Sequence, residues 1–158
     1  MRNALSIAAV ALFVAFAIPS HAASPVYPDI ANANADLAAA LKEAAASRKR
    51  VIVDFGGNWC GDCKVLDANF HKPENEALLK AGFVLVHVNI GLKGIDSNFD
   101  IAERYGIPLK KGVPALAVLE SDGKLVHAQR NGEFGDMRHM EAASVHEFLK
   151  QWSPSRPK

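Results

Sequence analysis

The sequence predicts a single α/β domain in which helices flank a central mixed β-sheet. Short runs of β-branched and aromatic residues alternate with amphipathic helical stretches along most of the chain. Helical connections between the early strands favour parallel pairing, and a late Asp122-Gly123 turn favours an antiparallel hairpin. The chain has 158 residues, which suits one ordinary domain.

The composition is typical of a globular protein, with 49% hydrophobic and 22% charged residues. The formal net charge is +1. This balance gives no indication of nucleic acid or an anionic membrane surface as a partner. The sequence therefore has to be interpreted from its motifs rather than from its overall charge.

Residues 1–22 predict a secretory signal peptide. Arg2 provides a short positive region, an uncharged apolar run over 4–18 follows, and Ser20 and Ala22 stand at the two positions that signal peptidase selects. The competing interpretation is an uncleaved membrane anchor. The apolar run is about 15 residues long, whereas a spanning helix needs about 20. We therefore expect cleavage after Ala22 and a periplasmic or secreted protein.

The mature chain is predicted to begin with an extended lead-in over residues 23–33, which contains two prolines. The domain that follows is predicted to occupy residues 34–152, and residues 153–158 are predicted to form a flexible tail. Asn34 or Asp36 can cap the first helix. The lead-in is thus expected to lie outside the domain.

The elements inside the domain follow from periodicity and from cap and turn signals. In chain order we predict a helix to Ser47, a strand over 51–55, helices over 60–70 and 74–81, a strand over 83–90, a helix capped by Asp96 or Ser97 and ending at Tyr105, strands over 115–119 and 125–128, a polar loop over 131–141, and a helix over 144–152 with Ser144 as its cap. The strand over 51–55 is predicted to be a buried central strand interrupted by one acid, Asp54.

Cys60 and Cys63 are the only cysteines, and their spacing indicates redox chemistry rather than a structural cross-link. A disulfide between residues three positions apart closes almost no loop, so it would stabilise the fold little. Cys60 lies where a strand meets a helix N-terminus, whose free N–H groups and partial positive charge favour a thiolate. We predict that Cys60 attacks and that Cys63, one helical turn further in, resolves.

The residues around these cysteines resemble the thioredoxin superfamily. The resemblance rests on three segments, which are Val53-Asp54-Phe55, Trp59-Cys60-Gly61-Asp62-Cys63-Lys64 and Gly112-Val113-Pro114. It extends from about residue 35 to Trp152. Within the superfamily the chain is similar to the periplasmic thioredoxin-like branch, which includes the C-terminal domain of the thiol:disulfide interchange reductase, and the stretch 69–74 carries that similarity.

The resemblance implies a cis peptide bond between Val113 and Pro114, in a loop that faces the cysteines and binds an extended substrate together with Trp59. It also implies that Asp54 is the family's buried acid, which relays a proton for Cys63 through water. The alternatives are plain packing for Trp59 and a solvent-facing position for Asp54.

Several positions depart from thioredoxin itself. Gly56 stands where thioredoxin has a Trp, and His87 corresponds to the Lys that faces the buried acid, so the role of His87 stays open. The connection before the Pro114 loop is longer by residues 108–111. These changes concern the redox potential and the partner surface rather than the exchange chemistry.

Asp62 replaces the Pro between the cysteines. Its negative charge opposes a thiolate at Cys60, and Lys64 partly offsets that charge. A less stabilised thiolate means a less stabilised reduced form, so we expect a couple on the reducing side.

These observations predict an exported thiol–disulfide oxidoreductase that reduces protein disulfides through the Cys60/Cys63 pair. We expect no metal and no cofactor besides this pair, a monomeric state, and disulfide-containing proteins as substrates. A separate membrane or periplasmic electron donor is needed because the sequence has no flavin or nicotinamide motif. Two alternatives stay open, a disulfide oxidase or isomerase and a copper-handling carrier that uses the cysteines with a nearby His or Met, for which Met137, His139 and Met140 are candidates.

Overall fold

The computed structural model describes residues 24–155, and the signal peptide predicted over residues 1–22 lies outside them. The helices and strands in chain order are α1 Ala33–Ser47, β1 Arg50–Gly56, α2 Gly61–Phe70, α3 Pro73–Gly82, β2 Phe83–Asn89, α4 Phe99–Arg104, β3 Ala115–Leu119, β4 Leu125–Ala128 and α5 Ser144–Trp152. Within the described range no helix has the length and apolar character to cross a membrane.

The four strands form one mixed sheet in the order β2-β1-β3-β4, which confirms the predicted fold class. β1 pairs parallel with β2, and the β3–β4 hairpin is antiparallel, as expected. β3 also runs antiparallel to β1, although a helix precedes it. The register pairs Ala115 with Phe55 and Leu119 with Val51. β3 therefore starts beside the end of β1 and runs back.

The two faces of β1 pack against different helices because side chains alternate along a strand. Val51, Val53 and Phe55 join a core cluster with residues of α1 and α4. Ile52 joins the opposite cluster, which includes residues of α2, α3 and α5. Asp54 shares the face of Ile52 by alternation, so the sheet directs this carboxylate towards the side where α2 and its cysteines lie.

The lead-in differs from the predicted extended segment. A 3-10 helix covers Ile30–Asn32 and continues directly into α1, so Asn32, rather than Asn34 or Asp36, occupies the N-cap. Tyr27 is only 1% exposed. Burying an aromatic side chain of this size stabilises the fold by about 2–3 kcal/mol, which holds Tyr27 in the core. The lead-in is therefore part of the folded domain.

The start of α4 also differs from the prediction. Neither Asp96 nor Ser97 caps the helix, which begins only at Phe99, and both of their backbone N–H groups donate to the carbonyl of Ile90, at 2.9 and 3.0 Å. Asn98 takes the N-cap in a left-handed conformation, with φ of 54°. Its side-chain amide donates to Asn89 O at 2.7 Å, which ties the helix start to the end of β2.

The predicted 131–141 loop contains a 3-10 helix over Met137–His139. Phe134 and Met137 are buried in the cluster that packs α2 against α5, so the segment is a folded part of the domain. α5 begins at Ser144 itself, with Ala143 at the N-cap, and ends at Trp152 as predicted.

Candidate active site

The two cysteines lie where β1 passes into α2. Cys60 is the N-cap of α2, and Cys63 lies in its first turn. They form a disulfide with a Cα–Cα distance of 5.3 Å. The Cys63 N–H donates to Cys60 Sγ at 3.1 Å, as an N-cap interaction should. The backbone therefore directs an N–H group and the positive end of the helix at the sulfur of Cys60.

Accessibility differs between the two sulfur-bearing residues. Cys60 is 6% exposed and Cys63 is fully buried, at 0%. A protein disulfide or thiol approaching from solvent therefore meets Cys60 first. The attacking role of Cys60 and the resolving role of Cys63 stay predictions, and this order of access favours them.

The residues predicted to bind substrate surround Cys60. The Val113–Pro114 peptide bond is cis, as the resemblance implies. The carbonyl oxygen of Val113 lies 3.6 Å from Cys60 Sγ. Trp59 is 38% exposed, and its indole N–H donates to Gly91 O at 2.9 Å, which fixes the ring at the surface beside the disulfide. An exposed and tethered aromatic ring beside backbone acceptors can take an extended peptide.

Asp54 is fully buried, at 0% exposure, which rules out the solvent-facing alternative. Two side chains contact the same oxygen of this carboxylate. The Tyr27 hydroxyl donates to Asp54 Oδ2 at 2.7 Å, and His87 Nδ1 lies 2.9 Å from that atom. Asp54 Oδ1 has no hydrogen-bond partner among residues 24–155. The acid is thus bonded on one oxygen and has a free acceptor on the other.

Tyr27 is a site residue that the sequence analysis missed. Its hydroxyl and ring fill the space beside Gly56. A Cβ on residue 56 would collide with the Tyr27 hydroxyl and would lie 2.8 Å from Cys63 Sγ. Gly56 is therefore needed at the position where thioredoxin has a Trp. The sequence signal that could have identified Tyr27 is an aromatic residue between Pro25 and Pro28, because an aromatic side chain is unsuited to a solvated linker.

Asparagine side chains hold the Tyr27 segment, residues 25–29, against the site. The Tyr27 N–H donates to Asn58 Oδ1 at 3.0 Å, and Asn58 Nδ2 donates back to Tyr27 O at 2.8 Å. Asn89 Nδ2 donates to Pro28 O at 2.8 Å. Asn58 also lies in the turn before Trp59, so the same side chain positions the segment and the redox turn.

Burial and Asp54 shift the titration of both neighbours. Burial, followed by the charge and hydrogen bond of Asp54, raises the pKa of Tyr27 far above its ordinary value. For His87, burial alone would lower the pKa, but the hydrogen bond and charge of Asp54, with the charge of Asp67, raise it overall. Tyr27 therefore stays protonated, while His87 favours the imidazolium form that pairs with a carboxylate.

His87 lies between the buried Asp54 and the partly exposed Asp67. The structure thus gives the position of His87, and its role stays open. Its Nε2 lies 3.6 Å from Asp67 Oδ1 on α2. The side chain of Asp67 is 19% exposed, and it lies 3.5 Å from Nε2 of His71, which is 58% exposed. The titratable groups thus form a continuous series from the core to solvent.

Asp62 is paired with Arg138 rather than with Lys64. Arg138 donates to Asp62 Oδ1 from its backbone N at 3.0 Å and from Nε at 3.1 Å, and its Nη2 lies 3.0 Å from Oδ2. Burial of Asp62 opposes ionisation, but these bonds and the Arg138 charge hold its pKa below the ordinary value. Lys64 is exposed on α2. The offset by Lys64 stays a prediction, and the structure adds Arg138 as a bonded counter-charge from a loop 76 residues away.

Arg138→Met is expected to shift the dithiol–disulfide equilibrium towards the disulfide by about two- to fivefold. The guanidinium offsets the Asp62 carboxylate at the start of α2, and a charge at a helix N-terminus has effects of this order. Equilibration with a glutathione redox buffer measures the shift, which added salt should reduce. Asp62→Asn should shift the equilibrium the opposite way, and the double variant should lie near the wild type. Shifts of the same sign in both single variants would contradict the prediction.

No three side chains of His, Cys, Asp or Glu converge on a possible metal position within residues 24–155. Met137, a candidate soft ligand, is 4% exposed and packs in the hydrophobic core. His139 is exposed and lies 2.6 Å from Asp136 through Nδ1. Arg138 is the side chain of this loop that bonds to Asp62 at the start of α2.

Comparison with known proteins supports the interpretation of this geometry. A family model described as Thioredoxin-like matches residues 32–121. The chain is 37% identical over 81 residues to a thioredoxin of Mycoplasma genitalium, covering 51% of this chain and 69% of that one.

Two further relatives carry names from disulfide chemistry. The chain is 27% identical over 124 residues to the thiol:disulfide interchange protein DsbD of Pseudomonas fluorescens, which covers 77% of this chain but only 19% of that protein. A crystal structure of a disulphide isomerase from Xylella fastidiosa superposes with a TM-score of 0.76 at 31% identity, covering 82% of this chain and 98% of that one. With its Cys60–Cys63 pair at the start of α2, the chain belongs to the Thioredoxin-like family and is a thiol–disulfide oxidoreductase.

Proposed function

We propose that this protein is exported and that its reduced Cys60/Cys63 pair reduces disulfide bonds in other proteins. The observation that carries the proposal is the asymmetry of the pair, in which Cys60 meets solvent and Cys63 is buried beside the Tyr27–Asp54 pair. A base near the resolving cysteine favours closure of the enzyme's own disulfide. That closure is the step that releases a reduced substrate.

In the proposed reaction the Cys60 thiolate attacks one sulfur of the substrate disulfide and forms a mixed disulfide. The other substrate sulfur leaves as a thiolate and takes a proton from water. Cys63 then loses its proton and attacks Cys60 Sγ, which restores the Cys60–Cys63 bond and expels the second substrate thiolate. The substrate gains two electrons and the enzyme pair loses two. A separate membrane or periplasmic donor must return them before the next turnover.

The charge next to Cys60 supports the reducing direction. The Asp62 carboxylate lies in the first turn of α2, where negative charge disfavours a thiolate at Cys60, and Arg138, at 60% side-chain exposure, offsets it only in part because water screens the pair. The relative from Pseudomonas fluorescens is named for disulfide interchange, a name that fits electron transfer in either direction. The name of the Xylella fastidiosa structure instead favours an isomerase, which is the second candidate function.

Redox equilibrium and two activity assays test this proposal. We expect a potential of roughly −200 to −270 mV in a glutathione buffer and reduction of insulin disulfides. A potential of about −120 mV, the value typical of a strong oxidant, would contradict the proposed reductase function. Rearrangement of a scrambled protein without net reduction would identify an isomerase, and tight stoichiometric Cu(I) binding by the reduced protein would identify a carrier.

Export has its own test. The protein expressed in a bacterium should be recovered from the periplasmic fraction at the mass of residues 23–158, because cleavage is expected after Ala22. Retention of the full-length chain in the membrane fraction would instead indicate the uncleaved anchor. This test is independent of the direction of electron flow.

A further inference from the structure

The hydroxyl of Tyr27 bonds to the buried acid and lies close to the resolving cysteine. It donates to Asp54 Oδ2 at 2.7 Å. The same hydroxyl and Cys63 Sγ both border the position that a Cβ on Gly56 would occupy. Tyr27, Cys60 and Cys63 form one packed cluster. A side-chain hydroxyl that bonds to Asp54 is therefore packed with the resolving cysteine, in a site for which the family resemblance implies a relaying water.

We propose that Tyr27 relays the proton of Cys63 to Asp54 during the resolving step. This inference rests on the thiol–disulfide exchange proposed above and adds a residue to it. The Cys63 thiol donates its proton to the Tyr27 oxygen while the Tyr27 hydroxyl proton passes to the Asp54 carboxylate. Cys63 then attacks Cys60 Sγ, and the substrate sulfur leaves as a thiolate. Tyr27 starts and ends neutral, so the proton is gained only by Asp54.

A relay requires a hydroxyl that does not itself ionise. The buried position of Tyr27 and the adjacent Asp54 charge raise its pKa, so a tyrosinate is not an intermediate. The titratable groups that face the hydroxyl are Asp54 on β1, His87 on β2, and Cys63 and Asp67 on α2. Of these groups, Asp54 accepts the hydrogen bond of the Tyr27 hydroxyl. Asp54 is therefore the group to which Tyr27 passes a proton.

The proton can leave Asp54 through His87. His87 Nδ1 lies 2.9 Å from Asp54 Oδ2, and its Nε2 lies 3.6 Å from the partly exposed Asp67. A neutral His87 ring with Nδ1 free accepts the proton of Asp54, becomes an imidazolium and releases the Nε2 proton to Asp67, so Asp54 returns to the ionised state. Asp67 lies seven residues after Cys60 on the same helix, about 10 Å further along its axis, so the proton leaves at a distance from the reacting sulfur.

Tyr27→Phe tests the relay because it removes one oxygen and keeps the ring. A symmetric nitroaromatic disulfide serves as the probe, since it releases one coloured thiolate when Cys60 attacks and a second when Cys63 resolves. We expect an unchanged first release and a second release slowed by about ten- to a hundredfold near neutral pH. The loss should shrink as pH rises, because hydroxide can then remove the thiol proton without Tyr27.

Tyr105→Phe is the matched control, since Tyr105 is the other tyrosine and is also buried, at 6% exposure. It should leave both releases unchanged. An unchanged second release in Tyr27→Phe, or a loss that is equal at every pH, would overturn the relay while leaving the exchange chemistry intact. Failure of the wild type to reduce insulin would instead reject the proposed function.

A measurement on the wild type keeps the inference testable should Tyr27→Phe fail to fold. The relay moves two protons in one step. The rate of the second release should therefore vary non-linearly with the deuterium fraction of the solvent. The first release involves no such transfer and should show little dependence. A linear dependence of the second release, which indicates a single proton in motion, would overturn the relay.

Discussion

Cys60→Ser is expected to lose insulin reduction by about a thousandfold or more, because it removes the nucleophile from a pair that acts as a unit. Cys63 cannot replace it, since that residue is fully buried behind Cys60. A hydroxyl at residue 60 would still cap α2, so the fold should persist. The rate of insulin precipitation measures the loss. Retained turnover in this variant would remove the central claim.

Cys63→Ser is the matched variant, with the opposite signature. Cys60 still attacks, but no second sulfur resolves the intermediate, so mixed disulfides should accumulate and appear by mass spectrometry. Expressed in its native compartment, this variant should capture the substrate proteins themselves. A Cys63→Ser protein that turns over normally would show that an external thiol, rather than Cys63, resolves the intermediate.

The sequence predicts the sheet well because its signal is local. β3 and β4 have the predicted bounds, Ala115–Leu119 and Leu125–Ala128, since a short apolar run and an Asp-Gly turn define them without reference to the rest of the chain. The positions of Cys60 and Asp54 also follow from local signals, a helix N-terminus after a strand and an acid between apolar residues.

The missed parts of the site depend on contacts between distant segments. Tyr27 bonds to Asp54 from 27 residues away, and Arg138 bonds to Asp62 from 76. Periodicity reports whether a residue faces a core, but it does not identify the partner. The sequence therefore predicts an extended lead-in and a polar loop over 131–141, although each of these segments contributes one polar side chain to the redox centre.

Asp54→Asn is expected to slow the resolving step by about a hundredfold near neutral pH, because the amide cannot accept the proton of Cys63. The first step at Cys60 should be unchanged. The two coloured releases of a nitroaromatic disulfide separate these steps. Asp100→Asn, on the exposed surface of α4, is the matched control and should alter neither. An unchanged second release in Asp54→Asn would remove the acid from the mechanism.

The same variant should change the titration of His87. Asp54 raises the pKa of His87 against the effect of burial, so without the Asp54 charge the pKa should fall, which NMR of the ring protons measures. In the wild type the raised pKa contributes stability below the unfolded-state value, about 6.5, and this contribution is lost as pH rises through the folded-state value. Urea unfolding of Asp54→Asn should therefore depend less on pH in that window.

Combining Asp54→Asn with Tyr27→Phe decides whether the two residues act in one path. If Tyr27 passes the proton only to Asp54, the double variant should resolve no more slowly than Asp54→Asn alone, because a relay without an acceptor contributes nothing. Losses that multiply would mean that each residue assists Cys63 separately, for example with Tyr27 only positioning the sulfur. The double-variant comparison thus separates a proton path from mere proximity, even though both explanations predict a slower Tyr27→Phe protein.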